Sequence, residues 1–277
     1  MNSPVNYPAS CSAVGASRTM SAVPEYLSQM IRRGMPTGCD IVENSTPVIS
    51  FGDPSKSKIA TLGINPSNIE FMKDSIFFTG DERRLATLLS LGSSSTELLT
   101  DAQVDDVIDN CYNYFNQKPY KKWFDPLDKI LKTGFNASFY DGSACHLDLV
   151  HWATNTKWNE LSRTVKEKLL KESEAHLINQ LKAENIKRIV INGSDVWNTL
   201  EKLKLITFDE VQTIHFGKEG KRKTPCRLRV GQGLGATFYG WTSNIQSQPG
   251  ANEKKFNEAL GLWLKEVDQN GHPESTH

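Results

Sequence analysis

Long hydrophobic runs are missing from this chain. Nothing in its 277 residues approaches the roughly 18 consecutive apolar residues that carry a helix across a bilayer. No membrane association is therefore expected. The amino terminus also lacks a charged-then-apolar leader pattern, so a cytoplasmic location is the expectation. Cysteine is scarce. Cys11, Cys39, Cys111, Cys145 and Cys226 are isolated and odd in number, which supports neither a disulfide framework nor a metal-ligand spacing. His146 and His151 stand five apart on a predicted strand and would face opposite ways, so no metal site and no cofactor are expected. Neither a Gly-x-Gly-x-x-Gly nor a Walker loop occurs, which removes support for a nucleotide-binding α/β enzyme. Gly231-Gln-Gly-Leu-Gly235 has only spaced glycines and reads as a loop. Charge of one sign is not in excess either, with 32 basic against 32 acidic residues. Nucleic-acid proteins are often basic overall, so the sum counts mildly against DNA and shifts attention to distribution.

What is present describes an ordinary globular chain, 38% hydrophobic and 23% charged. Residues 1–22 are rich in Ser, Ala, Pro and Asn without periodicity and are predicted to be disordered, as are residues 269–277. A single domain is expected between them, over 23–268. Four strand-like runs stand out: 59–64, 145–150, 188–192 and 237–241. The stretch 160–184 is rich in Leu, Lys and Glu and reads as a helix. A second helix follows Ser194, a natural N-cap, with Val196, Trp197 and Leu200 on its apolar face. In the last segment Phe256, Leu260, Trp263, Leu264 and Val267 recur at helical spacing, which assigns Trp263 to the core. Strands alternating with helices long enough to cross over imply a parallel sheet covered on both faces. Lys218, Lys221, Arg222, Lys223, Arg227 and Arg229 cluster with Glu219 as the only acid among them, either as a phosphate-gripping loop or as a solvated hairpin tip.

The most informative stretch is Lys58 to Asn68. An apolar strand runs into Gly63-Ile64-Asn65-Pro66-Ser67, a rigid turn carrying one amide side chain. Ligands bind at the carboxyl ends of strands in α/β sheets, and this turn sits at such an end. Gly-Ile-Asn-Pro resembles the water-activating motif of the uracil-DNA glycosylase superfamily, in its mismatch and modified-base branch. Two further segments follow in the family's order: Leu147 to His151, where the family places the side chain that reads the extruded base, and Trp241 to Ser247, the family's minor-groove loop. The resemblance spans about residues 47–267. It implies a three-layer α/β fold with a central four-stranded parallel sheet flanked by helices, a monomer that acts on DNA, and hydrolysis of an N-glycosidic bond to leave an abasic site.

The resemblance also distributes roles. Asn65 has no useful basicity, but its carbonyl can orient the attacking water. Backbone N–H groups around Ile64 would bind O2 of the base, and Phe77 or Phe78 would stack on it. Asp148 falls where uracil-specific members have Asn. A carboxylate only accepts, so it repels uracil O4 and suits an exocyclic amino group, as on cytosine. His151 is the alternative reader. Ser67 replaces the Tyr that blocks C5 in uracil-only members, leaving room beside that carbon. Ile245 has the shape of a wedge for the flipped nucleotide's hole. Ser243, Asn244 and Gln246 would grip phosphates or the widowed partner base. The family's leaving-base histidine is replaced by Trp241 or Thr242, with His151 and His215 as possible substitutes. These departures point to a cytosine with a bulky C5 group, as in hypermodified phage DNA, and so to an antiviral enzyme. A uracil or mismatch repair glycosylase is the alternative, and a DNA-binding protein of this fold without catalysis is a third.

Overall fold

The computed structural model describes residues 23–184, 186–217, 223–246 and 254–270. The predicted amino-terminal tail, residues 271–277 of the carboxyl-terminal one, the basic residues at 218–222 and Ser247 lie outside these, whereas Gln269 and Asn270 end a helix. Among the described residues, strands β1 (Ile59–Gly63), β4 (Ala144–Asp148), β5 (Arg188–Asn192) and β8 (Ala236–Trp241) are the four expected from the sequence. They lie side by side and parallel, in the order β4-β1-β5-β8.

The sheet is wider than expected. A long antiparallel hairpin, β6 (Thr207–Phe216) and β7 (Thr224–Gly233), adds to β8 and makes the sheet six-stranded and mixed. The Gly231–Gly235 stretch read as a loop thus belongs partly to a strand. Gly231 and Gly233 stand where the neighbouring chain comes closest: a Cβ on Gly231 would lie 2.5 Å from the Thr207 carbonyl, and one on Gly233 2.6 Å from that of Leu205. Within the basic cluster, Arg229 is committed to the Trp197 ring, 4.6 Å from its centroid, and Arg227 faces Glu210 at 3.8 Å. Arg227 and Arg229 of that cluster therefore belong to the sheet, on β7. A separate two-stranded hairpin joins β2 (Met72–Lys73) to β3 (Ile76–Phe77).

Seven α-helices complete the described chain: α1 (Glu25–Ile31), α2 (Leu88–Leu91), α3 (Asp101–Tyr112), α4 (Lys121–Phe135), α5 (Arg163–Ala183), α6 (Ser194–Lys202) and α7 (Lys254–Asn270). Alternation along the parallel strands divides the core in two. Val190 and Tyr239 join the cluster built by α1, α3, α4 and α7, whereas Ile189, Ile191 and Phe238 join that of α5 and α6. Both faces are covered, as short β-branched parallel strands require. Trp263 is core, as expected. Ser194 is not the N-cap of α6; it is the first helical residue, and Gly193 precedes it at φ 101°, a conformation that favours glycine.

This topology dictates where a crevice opens. From β1 the chain crosses over through α3 and α4 to β4 on one side. From β4 it returns through α5 to β5 on the other side of β1. Strand order reverses at β1, so the two crossovers diverge there and leave a gap beyond its carboxyl end. Cys39, Cys111, Cys145 and Cys226 are free and buried. Among the described residues, no helix is long and apolar enough to cross a membrane and no His/Cys/Asp/Glu cluster can hold a metal.

Candidate functional site

A cavity of about 530 Å³ occupies that gap, and the carboxyl ends of β1, β4, β5 and β8 all contribute to it. The Gly63-Ile64-Asn65-Pro66-Ser67 turn forms one side. It is pinned to the end of β4 by two backbone bonds, Leu149 N–H to the Gly63 carbonyl at 3.1 Å and Val150 N–H to that of Ile64 at 2.9 Å. Ile64, Asn65 and Ser67 line the cavity, as does Asp148, so the turn and the strand-end carboxylate do meet. Ser67 is exposed at this rim and caps the short 3₁₀ turn at 68–70.

The Asn65 side chain is held in one orientation. Its Nδ2 donates to Thr154 Oγ1 at 3.1 Å, to the Pro66 carbonyl at 3.1 Å and to the Trp152 carbonyl at 3.4 Å. Thr154 spends its own hydroxyl proton on the Thr156 carbonyl, at 2.7 Å. Thr154 Oγ1 can then only accept, which fixes the amide with its nitrogen toward Thr154. Asn65 Oδ1 is left as an acceptor in the cavity that the residue lines.

Beside the start of the turn, Asp148 and His146 sit two apart on β4 and so share a face of the strand. Asp148 Oδ1 lies 3.4 Å from His146 Nε2, and His146 Nδ1 is 2.7 Å from Thr61 Oγ1 on β1. Register explains the grouping, because Thr61 pairs with His146 and Gly63 with Asp148. Gly63 has to be glycine here. A Cβ would run into Asp148 Oδ1 and lie 2.9 Å from His146 Nε2.

A third ionisable group follows directly on the turn. Glu70 is buried at 4% exposure and lines the same cavity. Tyr114 O–H donates to its Oε2 at 2.6 Å, and Arg84 Nη1 lies 3.6 Å from the same oxygen. Burial pushes the carboxyl up to about 7, against the pull of Tyr114 and Arg84 and with a further push from the Asp148 charge.

The segment after β8 closes the ring through Asn192. Its Oδ1 accepts from Trp241 Nε1 at 2.8 Å and from the Ile245 N–H at 3.1 Å, and its Nδ2 donates to Gln246 Oε1 at 2.5 Å. Gln246 in turn reaches the Trp123 carbonyl of α4 at 2.8 Å. Thr242 and Asn244 line the cavity. The wedge expected of this loop fails. Ile245 is no exposed wedge: it is fully buried in the main core, because Asn192 draws its backbone inward. Ser243 is buried at 2% exposure, and Gln246 is occupied at both ends of its amide.

Three further expectations are corrected. Phe77 and Phe78 do not line the cavity. Phe77 packs on the core and Phe78 lies under the Arg84 guanidinium, 5.0 Å from the ring centroid. The aromatic lining comes instead from Phe51, Tyr120, Trp123, Phe124 and Trp158. His151 is neither reader nor leaving-base partner. It is fully buried against His176, with ring centroids 4.2 Å apart and no bond to either of its nitrogens. Burial and the neighbouring His176 hold it well below the usual histidine range. His215 is exposed on β6 and does not line the cavity.

Sequence reasoning missed Glu70, His146, Asn192 and Thr154. For His146 a signal existed, since strand parity puts it on the face of Asp148. The others carry no local pattern. The arrangement can hold a planar group among aromatic side chains, offer it carboxyl groups and an imidazole, and present an amide carbonyl to a water. No protein-family model matches the chain, and no curated protein matches its sequence.

Proposed function

We propose that this chain is a monofunctional DNA glycosylase, a member of the uracil-DNA glycosylase superfamily, acting as a cytoplasmic monomer without a cofactor. Its substrate is a flipped cytosine that carries a bulky C5 group, as in hypermodified phage DNA, and its role is antiviral defence. The observation that supports this reading is convergence: Asn65, Asp148, Thr242 and Asn244, from three segments far apart in sequence, border a single cavity.

The chemistry follows from those groups. A duplex hides the glycosidic bond, so the nucleotide must leave the stack and enter the cavity. Aromatic walls replace the stacking it loses. Asp148 accepts from the exocyclic amino group and would repel a carbonyl oxygen at the same place. Asn65 Oδ1 accepts a hydrogen from the water and aims its oxygen at C1′. As the C1′–N1 bond breaks, the electron pair leaves with the base and positive charge spreads over the sugar. The water then bonds to C1′ and loses a proton, giving the abasic sugar and the free base. A volume of about 530 Å³ exceeds what a flat base needs, and exposed Ser67 at the rim leaves space beside C5.

The test is a set of duplexes holding uracil, a thymine mismatch, or C5-substituted cytosines. Abasic sites are expected with the substituted cytosines. Asp148→Asn is expected to move preference toward uracil. An unchanged preference in that variant would remove Asp148 from base reading, and activity confined to uracil or mismatches in the unaltered protein would assign a repair role instead.

A further inference from the structure

Glu70 has no part in the scheme above, yet it stands at the cavity wall with one oxygen taken and one available. Both of its polar contacts, Tyr114 O–H and Arg84, fall on Oε2, which leaves Oε1 for the cavity that the residue lines. Asp148 lines the same cavity, close enough that its charge is felt at Glu70. The Asp148 charge adds to burial in favouring a proton on Glu70.

We infer that Glu70 and Asp148 read the base as a pair holding one proton, with Glu70 the carrier and Asp148 the acceptor. This rests on the glycosylase reading and names the substrate's edge. An acid beside a carboxylate presents one donor and one acceptor, the complement of an edge with one acceptor and one amino donor. N3 and N4 of cytosine form such an edge, whereas uracil and thymine present O4 and N3–H in the opposite sense. Burial favours the neutral carboxyl on Glu70, and the Asp148 carboxyl faces the same cavity with Oδ1 3.4 Å from His146 Nε2.

The same proton serves departure. When the C1′–N1 bond breaks, its electron pair leaves on the base, and the Glu70 proton passes to N3, so cytosine departs neutral. The water oxygen bonds to C1′, and the proton that the water sheds restores the Glu70 carboxyl by way of solvent. Atoms balance as substrate plus water giving abasic sugar plus base. General acid catalysis of this kind contributes typically about 10²–10⁴-fold. The charged and titratable groups around Glu70 are Arg84 in the loop before α2, Tyr114 after α3, and Asp148 with His146 behind it on β4.

The experiment is single-turnover excision from a duplex with one C5-substituted cytosine, between pH 5.5 and 9, for the unaltered protein, Glu70→Gln, Tyr114→Phe and Asn65→Ala. The unaltered protein should lose rate as pH rises through about 7, where Glu70 gives up its proton. Glu70→Gln keeps a donor for N3 but has no proton to transfer. It should hold KM within a few-fold, lose about 100-fold in kcat and show no falling limb. Tyr114→Phe removes a bond that favours the carboxylate, so its limb should move to higher pH; this arm stands even if the glutamine variant fails to fold. A Glu70→Gln protein with full kcat and the limb intact, or a Tyr114→Phe limb that stays in place, overturns the proton-carrying pair while leaving the glycosylase reading standing. Absence of base release from every duplex, with Asn65→Ala indistinguishable from the unaltered protein, overturns both.

Discussion

Glu70 and His176 are both buried ionisable side chains, and the protein equips them differently. Glu70 has a tyrosine hydroxyl and a guanidinium on one oxygen and a cavity before the other. His176 is 5% exposed, packs edge-on against His151, and has no hydrogen bond at either ring nitrogen; nor has His151. Burial, with Arg33 nearby, takes His176 down to about 4, whereas burial takes Glu70 up to about 7. Each favours its neutral form. Only Glu70 keeps that form within reach of a ligand. Partnered polar burial marks the site, and unpartnered polar burial marks a structural liability.

The sharpest way to break that comparison is a pH series on stability. An unfolded chain protonates histidine near 6.5, well above the folded His176, so the unfolded state takes up the proton first as pH falls. Stability is thus present above pH 6.5 and lost as pH drops toward about 4, by about 3 kcal/mol for His176 alone. Chemical denaturation of His176→Phe should show that acid loss reduced. Glu70 has the opposite sign. Its contribution is present below its ordinary 4.5 and is lost as pH rises through about 7, so Glu70→Gln should gain stability relative to the unaltered protein at pH 8. Parallel pH curves for all three proteins would refute the contrast.

Gly63→Ala comes next. Its Cβ would displace Asp148 and His146, at a cost of about 1–3 kcal/mol by overpacking and with excision reduced further than that loss of fold accounts for. A melting curve beside an excision assay separates the two. The smallest effect is expected from Thr154→Val, which lets the Asn65 amide rotate. One lost hydrogen bond of about 0.5–1.5 kcal/mol implies up to about a 10-fold slower reaction with little change in melting temperature. A rate unchanged by Thr154→Val would show that the amide needs no such restraint.

The two regions also differ in how far the sequence announces them. The four parallel strands are legible because each is a short, largely buried apolar run. The β6–β7 hairpin is not. Most of β6 is exposed at the sheet edge, so its residues are polar and carry no alternation, and the glycines of β7 mimic a loop. Asn65 and Asp148 are legible because they punctuate strand ends. Glu70, Tyr120, Trp123 and Trp158 are wall residues whose role arises only when α4 and the segments around β1 come together. Ile245 misleads for the same reason. Apolar in a loop, it looks like a wedge until Asn192 is seen to tether it inward.

One measurement bears most directly on the claim that this cavity excises a base: mass-spectrometric detection of free base released from a duplex containing C5-substituted cytosine, with Asn65→Ala alongside. The account predicts release by the unaltered protein and a loss of about 100-fold or more in the variant, which retains its melting temperature because Asn65 is only partly buried. Release at equal rates from both proteins would contradict it.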